Sequence, residues 1–346
     1  MNSYVSEVIS NFALHYGLNG VLNEIATAII FAVLVLILIS AFDYMYGWFE
    51  RKVMAKAQLR HGPNVVGKYG ILQNLADIVK LLAKENIVPK NANKYLFLFS
   101  VPLMLALLIF IEEMLPLSPN FYGVDLSIGL LVVFVLISFT PLILFIAGWA
   151  SGNKFGSISA DRSVMMLISY ELPMFLVMAS VAVAAGSYNL MQIVNAQSSL
   201  PFALLLPVGF MVFFIVMLAE FERPPFDIRE ADSELIAGWL TDASSPFYSI
   251  ALFIDYTRVL LGSIIITLLF LGGWIGPFSF PFSGFAWLIA KVILVALFLI
   301  VIRVTMIRMR IDKLLRFGWT IMLPLAVVNL LWAFALVSGY LPALGI

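Results

Sequence analysis

Leu126-Ser-Ile-Gly-Leu-Leu-Val-Val-Phe-Val-Leu-Ile-Ser-Phe-Thr-Pro-Leu-Ile-Leu-Phe-Ile-Ala-Gly-Trp149 carries no charge from end to end. A run of this length is enough to cross the roughly 30 Å hydrocarbon core of a bilayer as an α-helix. Seven further runs read the same way, near 25–43, 95–114, 163–186, 202–220, 247–271, 285–303 and 320–339. The 346 residues are 62% hydrophobic, with a mean hydropathy of +1.04, which leaves too little polar surface to cover a soluble core. The runs are continuous, not alternating ten-residue segments, so a β-barrel is rejected. The expectation is one all-α polytopic membrane domain over 1–346 with about eight transmembrane helices.

Charge pattern gives the topology. Of the 20 lysines and arginines, all but Arg258 and Lys291 fall in or at the ends of the connections after the first, third, fifth and seventh spans. The other connections and both termini hold none, so the charged face is expected on the cytoplasmic side and both termini on the other. Lys291, near a span end, is expected to snorkel. With no cysteine, the chain has no disulfide or thiolate-held metal, and His15 and His61 fit no ligand pattern, so no metal site is expected. No removable signal peptide, internal repeat or nucleic-acid partner is expected either.

The inner connections carry the information. The first, over 44–94, opens with Glu50-Arg-Lys and continues Arg60-His-Gly-Pro-Asn-Val-Val-Gly67. Cations beside an apolar helix can mean topology and contact with anionic membrane lipids alone, but Gly62, Pro63, Asn64, Gly67 and Gly70 set several turns and predict a shaped loop. From Ile71 to Lys84, one face presents Ile71, Leu72, Leu75, Ile78, Val79 and Leu82 and the other Gln73, Asn74, Asp77, Lys80 and Lys84. That spacing predicts an amphipathic interfacial helix.

A second inner connection, over 220–246, gathers Glu220, Glu222, Asp227, Glu230, Asp232, Glu234 and Asp242 around Arg223-Pro-Pro-Phe226. Pro224 and Pro225 stop a helix, and the alternating acids are close enough to repel one another. Two acids fall inside spans: Glu171 in Ile168-Ser-Tyr-Glu171, and Asp255, with Arg258 three residues on as a possible neutralising partner. A carboxyl at that depth costs roughly 2.5 to 3.5 kcal/mol and must face protein or water. Held for packing, such acids would be inert; as neighbours they form a chain able to take up and release protons, which is the reading favoured here. Asp43, Glu112 and Glu113, near expected span ends, read as interfacial charges.

These residues resemble the H-type membrane subunit of proton-pumping NADH–quinone oxidoreductase, respiratory complex I. The likeness covers nearly the whole chain in order: Glu50-Arg-Lys, the Arg60 to Gly67 loop, Gln73 to Lys80, Gly148-Trp149, Asn153-Lys154, Ile168 to Glu171, Ala219-Glu220, Glu222-Arg-Pro-Pro-Phe-Asp227 and Glu230 to Glu234. Asp242 and Asp255 stand where the family usually has Glu, and Ile307 where it has Pro. The resemblance implies a subunit of a translocating enzyme with no redox centre of its own, in an energy-transducing membrane. It implies a tunnel for a quinone-type lipid (ubiquinone, menaquinone, plastoquinone or a phenazine), with iron–sulfur clusters on partner subunits of the peripheral arm. Small and antiporter-like membrane subunits would be neighbours. By position, Arg51, Arg60, Gly62, Pro63, Asn64, Arg223, Pro224, Pro225 and Phe226 would shape the tunnel or docking surface. Glu171, Glu220, Glu222, Asp227, Glu230, Asp232, Glu234, Asp242 and Asp255 would relay protons. Two other readings stand beside this one: the related membrane subunit of an energy-converting hydrogenase, and a stand-alone proton-coupled transporter.

Overall fold

The computed structural model describes residues 21–229, 232–278 and 283–339. Among them the regular structure is helical: α1 (Val21–Ala57), α2 (Gln73–Leu82), α3 (Lys94–Met114), α4 (Gly129–Ala150), α5 (Lys154–Ala185), α6 (Leu190–Ala196), α7 (Phe202–Leu205), α8 (Pro207–Glu220), α9 (Asp232–Leu235), α10 (Ser245–Phe270), α11 (Ser283–Thr305), α12 (Ile311–Phe317) and α13 (Leu323–Val337). Seven helical segments are long and apolar enough to cross a membrane: 33–57 of α1, α3, α4, α5, α10, α11, and α12 with α13 joined by a π-helical turn at Gly318–Met322. The eighth expected span is shorter. Leu206 leaves the helical region (φ −124°, ψ 61°) before Pro207, which divides 202–220 into four-residue α7 and 14-residue α8. At 1.5 Å per residue α8 is only about 21 Å long.

Two helices run further than their apolar stretches alone predict. α1 continues past residue 43 to Ala57, and α5 begins at Lys154, nine residues before the expected 163. Side-chain oxygens of Asn93, Asn153 and Asn189 accept from backbone N–H groups at the starts of α3, α5 and α6, satisfying donors that hydrocarbon could not.

α10 lies at the centre, packed against α1, α2, α3, α8 and α11, with every residue from Thr257 to Phe270 buried. Its hydroxyls turn inward: Ser263 donates to the Val259 carbonyl and Thr267 to the Ser263 carbonyl, both at 2.7 Å. At its C-terminal end, Gln197 donates to the Leu268 carbonyl (2.8 Å) and accepts from the Gly272 N–H (2.9 Å). Lys291 does not reach out of the bundle; its ammonium donates to the carbonyls of Leu271, Gly273 and Ile275 at 2.6 to 3.0 Å, where the negative end of the helix dipole favours a cation. α4 packs between α3 and α5, and α5 carries α8 and α13 on its other side. Asn329 of α13 ties three helices, accepting from Gly209 N–H (2.8 Å) and donating to Ser180 (2.6 Å).

The inner connections meet at one end of the bundle. The Asn93 N–H donates to the Ala150 carbonyl (2.9 Å), the Met309 N–H to the Pro225 carbonyl (3.0 Å), and Ser244 bonds Asn86. The first connection folds tightly: Gly70 has φ +73°, and a Cβ there would fall 2.2 Å from the Pro63 carbonyl oxygen. Gly186, which ends α5 at φ +68°, has nothing within 4 Å of that position. Gly186→Ala is therefore expected to cost about 1–2 kcal/mol from the backbone alone. Gly70→Ala adds an overlap with backbone and is expected to open 58–72 to protease. Equal protease resistance in the two variants would contradict this packing.

Candidate functional site

Residues 221–229 of the acidic connection are folded into the protein. α8 ends at Glu220, and Glu222 takes a left-handed conformation (φ 56°), unusual for a residue with a side chain. The turn carries the chain through Arg223 and the cis Pro224–Pro225 bond to Phe226, which is buried edge-on to Tyr170 of α5 with centroids 5.5 Å apart. α5, extended by its early start, holds the next stretch: Ser159 donates to the Arg229 carbonyl (2.8 Å) and Arg162 to the Ile228 carbonyl (3.2 Å). Gly238 allows this closeness, since a Cβ there would lie 1.8 Å from the Arg229 carbonyl oxygen.

Two buried carboxylates organise the charges. Glu222 pairs with Arg229 (2.8 Å) and with Arg258 of α10. Glu50 of α1, 1% exposed, pairs with Arg223 (3.4 Å) and with Arg303 of α11. Asp255 joins the two centres electrostatically, interacting with Arg223, Arg258, Glu222 and Glu50, and its carbonyl accepts from Arg223 (3.4 Å). Glu220 interacts with Arg229, Arg258, Glu222 and Glu171. Thus Glu50, Glu220, Glu222 and Asp255 face Arg223, Arg229, Arg258 and Arg303. Fully ionised, these eight groups are neutral, so one added or removed proton unbalances them. Burial works against the Arg223 cation, but Glu50, followed by Tyr46 and Asp255, outweighs it and pushes its pKa above the ordinary value.

Other expected site residues lie outside this cluster. Asp227 pairs with Arg308 (2.8 Å) and exposed Glu234 with Arg162 (2.7 Å). Asp242 is half-buried just past the 3-10 turn at Gly238–Leu240. Glu230 and the side chain of Asp232 lie outside the described residues. Arg51, Arg60, Gly62 and Pro63 share a concavity of about 350 Å³ with Met54 and His61, beside Asn64, which accepts from Lys52 (3.1 Å). The expected amphipathic helix is α2. Asn74 on it donates to the Tyr44 carbonyl (2.9 Å), and Asp77 accepts from Arg51 (2.6 Å) and Gln73 (2.9 Å). Partial burial acts to raise the Asp77 pKa, but the bonds from Arg51 and Gln73 prevail and hold it below the usual 3.8.

Several participants escaped sequence reasoning. Arg258 pairs with Glu222 and not with Asp255, three residues away on its own helix. Asp43 and Glu112, read as interfacial, are 2% and 3% exposed: α1 continues 14 residues beyond Asp43, which is therefore within the helix and not at its end, and Glu112 is on the buried face of α3. The available signal was spacing: Asp43 and Glu50 are seven residues apart, two turns on one helix face.

The pairings differ in what their loss should cost. Glu222→Gln strands two buried guanidiniums and is expected to lower the stability of the folded subunit by about 3–5 kcal/mol, whereas Asp77→Asn breaks a half-exposed pair worth at most ~1 kcal/mol. Thermal unfolding in detergent checks the contrast, and similar losses would refute it. Because the Asp77 pKa is lowered on folding, its contribution is complete above the ordinary carboxylate range and fades as pH falls through the lowered value, an acid step that Asp77→Asn should remove.

The NADH dehydrogenase family profile matches residues 28–334. The NADH-quinone oxidoreductase H subunit of Dehalococcoides mccartyi (strain CBDB1) is 40% identical over 283 residues, covering 82% of this chain and 79% of its own. The protein of the same name from Rickettsia typhi is 40% identical over 299 residues, covering 84% and 87%. A further NADH-quinone oxidoreductase H subunit, numbered 2 in Syntrophobacter fumaroxidans, is 38% identical over 306 residues, covering 86% and 91%. With a matching profile over most of its length and these relatives beside an all-helical membrane bundle, the chain belongs to the family of H-type membrane subunits of NADH-quinone oxidoreductase, respiratory complex I.

Proposed function

We propose that this subunit forms the membrane-side access tunnel for a quinone-type lipid and couples reduction of that lipid to proton movement through its buried carboxyls. The observation that carries the reading is the buried network of four carboxyls and four guanidiniums spanning the acidic connection, α1, α10 and α11, which Arg51 and Glu171 extend on either side. A charge change at the connection alters the balance felt by Asp255 and Glu220, and through Glu220 by Glu171 within α5. The Arg51 and Arg60 concavity supports a docking surface for the iron–sulfur and quinone-site subunits of the peripheral arm. An apolar groove of about 230 Å³ between α1 and α11, lined by Phe42, Met45, Trp48 and Phe49, suits a prenyl tail. In this reading the iron–sulfur clusters sit on the partners, small and antiporter-like membrane subunits lie alongside, and both termini face away from the peripheral arm, as the distribution of basic residues supports.

The chemistry asked of this chain is positioning and proton exchange. Arg223 and Arg258 lie beside Glu50, Glu222 and Asp255, and Glu171, half-buried and bearing no ion pair among the described residues, adjoins the cluster through Glu220. Glu171→Gln is therefore expected to impair coupled electron transfer and proton pumping while leaving assembly intact. A variant with normal rate and pumping would remove the relay role. Replacing Arg60 or Asp227 is expected to lower quinone-linked activity more than donor oxidation by an artificial dye, and equal loss of both would mean failed assembly instead.

A further inference from the structure

We propose that Asp43 and Glu112 form a second buried proton-binding site within the spanning helices, separate from the arginine-paired carboxyls; this rests on the relay reading above and extends it. Asp43 lies inside the spanning part of α1 and Glu112 two residues before the end of α3; both are buried and they interact electrostatically. Neither Glu112 oxygen, nor Oδ1 of Asp43, has a hydrogen-bond partner among the described residues. Among those residues no arginine or lysine pairs with Glu112, unlike Glu50 and Glu222 of the arginine-paired cluster. Glu112 lines a cavity of about 120 Å³ whose other walls are carbon, including Val35, Ile39, Phe42, Leu260 and Phe285. An unpaired carboxylate among such walls is costly, and a bound proton removes the cost.

Thr257 of α10 supplies the device that lets Asp43 exist in two states. Its hydroxyl lies 2.6 Å from Oδ2 of Asp43 and 3.0 Å from the Phe253 carbonyl oxygen, yet it has one proton to give. With Asp43 ionised, the hydroxyl donates to the carboxylate. With Asp43 protonated, the acid O–H donates to Thr257, whose own proton turns to the Phe253 carbonyl. Both forms are satisfied by rotation about one bond. Asp43 and Glu50 stand two turns apart on one face of α1, with Tyr46 between them interacting with both, which links the site to the arginine-paired cluster. In the transfer step a proton leaves one carboxyl oxygen and binds a carboxylate oxygen of the other residue, leaving total charge unchanged. A hard metal cation fits poorly, because three unpartnered oxygens fall short of the roughly six that such ions require.

The test uses the intact complex in proteoliposomes with Asp43→Asn, Glu112→Gln or Glu112→Asp. Electron transfer in uncoupled vesicles is expected to persist, with fewer protons moved per electron in the first two variants and recovery in Glu112→Asp. Infrared difference spectra should show a protonated-carboxyl carbonyl band, shifted by heavy water, that Glu112→Gln loses and Glu112→Asp keeps. Wild-type pumping with an unchanged spectrum in Asp43→Asn and Glu112→Gln overturns the proposal, as does a pumping defect that appears only when sodium is present. Should Glu112→Gln assemble poorly, absence of the band from Glu112→Asp overturns it equally. If Glu171→Gln is impaired while these variants are normal, only this site is lost; if Glu171→Gln is normal too, the relay reading falls with it.

Discussion

A guanidinium or carboxylate withdrawn from water must find its opposite within a few ångströms or carry a penalty of several kcal/mol. Around the acidic connection that rule is met four times over, and much of the local architecture answers to it. Glu50 can be buried only because α11 delivers Arg303 and the turn after α8 delivers Arg223. Glu222 needs Arg258 from α10 and Arg229 from further along its own connection. The left-handed backbone at Glu222 is unfavourable by itself, and two ion pairs plus the wedge of Phe226 against Tyr170 hold it there. Each anion is thus tied to a different pair of elements, and none of those elements can shift without exposing an unpaired charge.

The rest of the bundle obeys the same rule in its neutral form. Hydrocarbon offers nothing to a backbone N–H or C=O, so helix ends and interruptions need internal partners. Gln197 and Lys291 close the end of α10, and Asn329 supplies an acceptor to Gly209 just after Pro207 starts α8. Polar side chains within the spans are in this respect structural, and the ones that stand apart are those with no partner.

Most of the bundle could be read from apolar run length, and the amphipathic face of α2 from its spacing. The break at Leu206 could not, because hydropathy is blind to a single residue leaving the helical region within a continuous apolar run. The acids divide the same way. Glu171 and Asp255 were legible because they sit mid-run. Asp43 was not, since the charged stretch after it looked like a loop, although burial of Glu50 against two arginines makes it helix. Pairing between distant elements, such as Glu222 with Arg258, depends on the turn at Arg223-Pro-Pro, whose direction no local pattern gives.

At 32 residues and 1.5 Å per residue, α5 is about 48 Å long, well beyond the ~30 Å that hydrocarbon needs. Its first turns grip the acidic connection through Ser159 and Arg162, and Glu171 lies three turns further along. Pro173, the residue in this helix that removes a backbone donor, comes just after Glu171. Pro173 leaves the Ser169 carbonyl without its helical donor and crowds it, so the weakened turn spans 169–173 and Glu171 sits within it. The one polar carboxyl midway along this long helix thus stands where the backbone is least tightly bonded, between a start held by the acidic connection and an end capped by Gly186.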